Sequence, residues 1–124
     1  MSTFPELDCI ELHEYRYKTV SAGAIEIIVD YPVTGDFVAF IEKIACDLPY
    51  EEQTSGAIAK MWHEFIVDGY PIKILYEIPI NKPREYDPPM VAKERVKWRF
   101  YNADSKSHTI GVLVAGRLCK PKKV

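Results

Sequence analysis

The sequence predicts an α+β fold: a two-layer domain with a mostly antiparallel sheet of about five strands, ordered β-β-α-α-β-β-β, and two helices packed on one face. Three observations lead there. Apolar residues alternate at both ends of the chain, they recur at three- and four-residue spacings in its middle, and Pro32, Pro49 and Gly69 separate these stretches.

The first strand is expected from about Cys9 to Thr19. Ile10 and Leu12 give way to Tyr15 and Tyr17, a change of side that predicts a bulge or two short strands. Ser21-Ala22-Gly23 turns the chain into a second strand, Ala24 to Tyr31, with Ile25, Ile27, Val29 and Tyr31 on one face and Glu26, Ile28 and Asp30 on the other. The two strands are read as a hairpin ended by Pro32. A helix then begins near Asp36, capped by Thr34 or Asp36, with Phe37, Phe40, Ile41, Ile44 and Leu48 as its apolar stripe. Pro49 ends it. A second helix covers Tyr50 to Val67, packing through Ala57, Ile58, Met61, Trp62, Phe65 and Ile66 and terminated by Gly69.

Three strands follow. Ile72, Ile74, Tyr76, Ile78 and Ile80 alternate, with Pro79 marking an edge or an end. After a proline-containing connection, Val96, Trp98 and Phe100 alternate with Arg95, Lys97, Arg99 and Tyr101. Residues 102–107 supply a turn, and Thr109 to Leu118 forms the last strand, apolar enough in both phases for a central position. Trp62 and Trp98 are expected in one buried region with Phe40, Ile44 and Phe65. Ile28, Leu75 and Leu113 fall on the face that two helices leave uncovered, where they are read either as a shallow groove or homodimer contact or as core residues out of phase.

The 124 residues are read as one domain, 1–124, with a short basic tail over 118–124. An apolar share of 48% beside 27% charged residues excludes a disordered chain. No apolar run approaches the roughly 18 residues of a membrane-spanning helix, so no membrane partner is expected. The N-terminal segment lacks the pattern of a signal peptide. Cys9, Cys46 and Cys119, odd in number and without C-x-x-C spacing, predict reduced thiols and a cytoplasmic location. Cys46 is read as packing. Charge is divided: residues 1–68 carry a net −9 and residues 69–124 a net +7. The halves either steer a charged partner or neutralise each other as neighbours.

Catalytic signatures are weak. His13-Glu14 and His63-Glu64 begin like H-E-x-x-H, yet Tyr17 and Val67 occupy the positions of the second histidine, and His108 is distant. No metal site is expected. Ser55-Gly56 lacks a nucleophile elbow, Cys46 with His63 is disfavoured by the apolar setting of Cys46, and Glu51 and Glu52 suit a helix start better than an acid–base pair. No Walker or dinucleotide fingerprint occurs, so neither a cofactor nor a catalytic residue is assigned.

Recognition explains more. The stretch 79–94 is rich in proline and presents Arg84, Tyr86 and Asp87, residue types suited to interface anchors. With Asp30 and Glu64 they form the expected protein-binding set of a small domain acting by stoichiometric recognition, as an inhibitor or immunity-type protein blocks its partner. The alternative partner is RNA or single-stranded nucleic acid, bound by the strip Arg95, Lys97, Arg99 and Tyr101, extended by Arg117 and the tail Lys120, Lys122 and Lys123. A small enzyme of unknown class is the second alternative.

Overall fold

A computed structural model describes residues 6–47 and 60–122. Their strands are β1 (Leu7–Val20), β2 (Ile25–Pro32), β3 (Val38–Cys46), β4 (Met61–Val67), β5 (Tyr70–Ile74), β6 (Arg84–Ala92), β7 (Arg95–Asn102) and β8 (His108–Pro121). They form two four-stranded antiparallel sheets, β1-β8-β3-β6 and β2-β7-β4-β5. The fold is all-β, and the α+β expectation is overturned: the described residues contain no α-helix. Buried side chains from both sheets join in a single core.

The first expected helix is β3, and its helical spacing comes from a bulge. Ile41 pairs with Gly116 and Lys43 with Ala115, leaving Glu42 as an extra residue between them. Ala39 and Ile41 therefore point inward before the bulge, and Ile44 and Cys46 after it. The bulged backbone presses on β8, where a Cβ on Gly116 would lie 1.9 Å from the Phe40 carbonyl oxygen. Glycine is required there.

The end of the second expected helix is β4; residues 50–59 of that expectation lie outside the described residues, and with them Glu51, Glu52, Ser55, Gly56, Ala57 and Ile58. Met61, His63, Phe65 and Val67 alternate inward. Gly69 ends no helix. Asp68 and Gly69, with φ of 50° and 86°, make the two-residue turn that joins β4 to β5. Asp68 also accepts the backbone N–H groups of Lys93, Glu94 and Arg95 at 2.8, 2.8 and 2.9 Å, clipping this turn to the β6–β7 turn.

β1 and β2 are not a hairpin. A tight turn, closed by Ala24 N–H to the Ser21 carbonyl at 3.0 Å, carries the chain from one sheet to the other, where β1 pairs with β8 and β2 with β7. A bulge between Ile27 and Val29 splits the second strand: Ile25 and Ile27 face outward, while Val29 is buried. The strand expected over 72–80 ends at Ile74, and Ile78 bridges to Cys46. The proline-rich connection is itself β6, the edge of its sheet, with residues 86–89 looping out of the ladder between Glu85 and Met90. An edge strand tolerates Pro88 and Pro89 because no neighbour needs their missing N–H.

β8 lies between β1 and β3 and is buried from Ile110 to Ala115, as its two apolar phases suggest. Trp98, Ile44 and Phe65 are fully buried, but Trp62 and Phe40 lie partly exposed outside the core. Ile28 and Leu113 are buried and only Leu75 stays exposed, which removes two of the three residues behind the expected dimer contact. Cys9 and Cys119 face each other across the β1–β8 register and form a disulfide. The expectation of three reduced thiols is thereby corrected. With its two ends at a sequence separation of 110, this link stabilises the fold by about 5 kcal/mol on a chain-entropy basis.

Candidate functional site

The outer face of β2-β7-β4-β5 gathers most of the chemistry singled out in the sequence. Register sets three rows across it. Ile25, Tyr101 and Trp62 form the first, Ile27, Arg99, Glu64 and Lys73 the second, and Asp30, Lys97, Ile66 and Pro71 the third. Alternation along β7 places Arg95, Lys97, Arg99 and Tyr101 outward because Val96, Trp98 and Phe100 are committed to the core.

Trp62 and Tyr101 stack with ring centroids 4.8 Å apart and planes 12° from parallel. Lys73 places its Nζ 4.8 Å from the Trp62 ring, and the Arg99 guanidinium lies 5.7 Å from the Tyr101 ring. Arg99 donates from Nη2 to Glu64 Oε1 at 2.9 Å, and the Tyr101 hydroxyl reaches the same oxygen at 3.4 Å. Arg95 Nε lies 3.4 Å from Asp30 Oδ1. Two apolar side chains remain open on the face, Ile25 and Ile27, which are 60% and 45% exposed.

The structure regroups the predicted sites. Asp30 and Glu64, expected to meet a protein, lie among the cations expected to meet nucleic acid and pair with two of them. Arg84, Tyr86 and Asp87 lie on β6 at the edge of the other sheet; Arg84 and Asp87 are exposed, whereas Tyr86 packs partly against the core. Arg117, on β8, pairs with Glu42 at 3.6 Å and does not extend the strip. In the tail, Lys120 sits over the Phe37 ring, and Lys122 pairs with Glu6. Four ion pairs (Asp30–Arg95, Glu64–Arg99, Glu42–Arg117 and Glu6–Lys122) join an acid of the first half to a base of the second. Strands of the two halves alternate in both sheets, so much of the charge division cancels between neighbours.

Residues considered for chemistry are placed differently. His63 is fully buried: its Nδ1 accepts the Trp98 indole N–H at 2.7 Å, and its Nε2–H donates to the Asp47 carbonyl at 3.1 Å. Burial lowers its pKa to about 4, against the opposing effect of the Asp47 carbonyl. Burial likewise pushes the Cys46 thiol up to about 12. Cys46 is thus held protonated, unlike an activated nucleophile. His108 contacts Asp104 at 2.8 Å, and His13 is exposed on β1. Among the described residues no three His, Cys, Asp or Glu side chains converge as metal ligands.

The sequence reading missed Trp62, Ile25 and Ile27 as surface residues. Strand phase was the available signal: Trp62 sits between Met61 and His63, and counting His63 as an inward residue would have turned Trp62 out.

Fold and face together define an all-β, two-sheet domain that presents a stacked aromatic pair amid paired charges. No family model, curated protein or solved structure matches the chain.

Proposed function

We propose that this is a protein-recognition domain acting by stoichiometric binding, with the outer face of β2-β7-β4-β5 as its contact surface. The observation that carries this reading is the pairing of Arg95 with Asp30 and of Arg99 with Glu64 around the Trp62–Tyr101 stack. A phosphate-binding strip works through uncompensated cations, and here two of its cations are already matched by acids. Protein interfaces combine aromatic and Arg anchors with complementary charges of both signs. Occupying a partner through this face, in the manner of an inhibitor or immunity-type protein, is the mode of action the proposal carries.

The test is recovery of a partner from the native extract, followed by calorimetric binding to purified variants. Trp62→Ala combined with Tyr101→Ala is expected to weaken the recovered partner about a hundredfold, as loss of two central anchors does. Arg84→Ala with Asp87→Ala probes the β6 edge and is expected to leave affinity within about twofold. Loss confined to the β6 variant would move the contact to that edge and overturn the assignment. Salt-sensitive oligonucleotide binding without any protein partner would replace the reading altogether.

A further inference from the structure

β1 is the longest edge strand of either sheet, 14 residues from Leu7 to Val20, and it pairs with β8 on one side only. Among the described residues no strand pairs with its other side. Three hydrogen bonds identify the backbone groups that look outward. Lys122 N–H donates to the Glu6 carbonyl at 2.9 Å, which extends the ladder and turns the even-numbered residues of β1 toward β8. Asp47 N–H donates to the Gly111 carbonyl at 2.9 Å, so Gly111 turns its backbone away from Tyr17, the residue opposite it on β1. Arg16 Nη1 donates to the Tyr15 carbonyl at 3.0 Å, a side chain standing where a neighbouring strand would. The N–H and C=O groups of Cys9, Glu11, His13, Tyr15, Tyr17 and Thr19 therefore point to the open side.

The other edges are blunted against further pairing. β2 carries the bulge at Ile28 and ends at Pro32, β5 has only five residues and contains Pro71, and β6 loops out around Pro88 and Pro89. β1 contains no proline and keeps its register with β8 through fourteen unbroken pairs. Charge is the one protective device it carries, in Glu14, Arg16 and Lys18, and that charge complements itself.

We propose that β1 pairs antiparallel with β1 of a second copy of this chain, across a two-fold axis at Tyr15, joining two four-stranded sheets into one. In this register Tyr15 faces the partner's Tyr15, His13 faces the partner's Tyr17, and Glu11 faces the partner's Thr19, so outward backbone groups meet outward backbone groups. Between them Glu14 stands opposite the partner's Arg16, twice by symmetry, and Leu12 lies against the aliphatic stem of the partner's Lys18. Moving the axis by one residue either way sets Glu14 against Glu14 or Arg16 against Arg16, so charge selects between neighbouring registers. Backbone pairing supplies the attraction; the charges choose the strand that fits. The Glu14–Arg16 bridge within one strand is exposed on its Arg16 side, and such a bridge is exchanged for the two intermolecular pairs at little cost. This contact uses none of Ile28, Leu75 and Leu113, and it lies on the other sheet from the proposed recognition face, so it stands or falls independently of that reading.

The experiment follows the full chain, its disulfide intact, from micromolar concentration to about 1 mM by sedimentation and amide hydrogen exchange. A dimer is expected at the upper end. The amides of Glu11, His13, Tyr15, Tyr17 and Thr19 should slow at least about tenfold in step with its population, whereas those of Leu12, Glu14 and Arg16, bonded to β8, are slow throughout. Arg16→Glu is expected to weaken the dimer at least about tenfold, and Glu14→Arg combined with Arg16→Glu to restore it. His13→Pro removes one outward N–H without touching the β8 ladder and should weaken the dimer as much, with an unfolding curve close to wild type. The charge swap tests the same edge should His13→Pro fail to fold. A chain that stays monomeric at about 1 mM, a dimer whose outward amides exchange freely, or a charge swap that restores nothing would each overturn the proposal. Outward amides already slow in the monomer would overturn it as well, because the chain itself would then cover the edge.

Discussion

Trp62 and Trp98 stand on neighbouring strands of one sheet and point to opposite faces. Trp98 is fully buried, with its indole N–H satisfied by His63 and its ring against Phe65, 5.2 Å between centroids. Trp62 lies on the outer face, stacked on Tyr101 beneath the Lys73 ammonium. The same residue type thus serves two ends. Inside, a single hydrogen bond to an uncharged histidine lets a polar ring fill the core; outside, the ring stays partly exposed, held between its stacking partner and a cation.

The largest effect expected from this contrast is at Trp98. Trp98→Ala should destabilise the protein by about 4 kcal/mol in urea unfolding, through the cavity and the loss of His63's donor. Trp98→Phe separates the two contributions and should still cost about 2 kcal/mol. A loss below about 1 kcal/mol for Trp98→Ala would break the distinction between the faces. Next comes the glycine against which the bulged backbone of β3 presses. Gly116→Ala is expected to cost about 3 kcal/mol, because the bulged backbone leaves no room for a methyl group.

The buried histidine adds a pH signature that the outer face lacks. Unfolded, it titrates near 6.5; folded, near 4, so the unfolded chain takes up its proton first as pH falls. Its contribution is complete above pH 6.5 and declines toward pH 4, by about 3 kcal/mol at about 1.4 kcal/mol per pH unit. Thermal or urea unfolding across that window should show the slope in the wild type and its disappearance in His63→Gln. Asp68 has the same sign in a lower window: its stabilisation is lost only as pH falls below the ordinary carboxylate range. The smallest stability effect belongs to Trp62→Ala, about 1 kcal/mol from the lost stack, while binding of the partner falls sharply. A larger loss of stability than at Trp98 would reverse the roles of the two tryptophans.

Much of the strand content was legible where alternation was unbroken. β7 and β8 sit close to their expected limits because each keeps one period throughout its core residues. β3 was not legible as a strand, since the extra residue Glu42 converts a two-residue period into the spacing Phe40, Ile41, Ile44 that a helix also produces. In β4 the inward His63 broke the apolar count and left Met61, Trp62, Phe65 and Ile66 looking like a helical stripe. One local signal did exist: Asp68-Gly69 between apolar runs is a strong hairpin signature, and it outweighs Gly69 as a helix stop. For the site, the outward side of Arg95, Lys97, Arg99 and Tyr101 was readable from β7 alone. Their pairing with Asp30 and Glu64 was not, because those acids arrive from β2 and β4.

By itself the sequence determined that the chain buries an apolar core, that β7 turns its cations away from Trp98, and that charge is divided between the halves. These are local or compositional properties, fixed by a two-residue period and by residue type. Only the tertiary structure decided that the halves interleave strand by strand, that Cys9 meets Cys119, and that a stacked aromatic pair and two ion pairs share one face. Each of those depends on register between strands distant in sequence, which is selected by the fit of the whole core around bulges at Glu42 and Ile28.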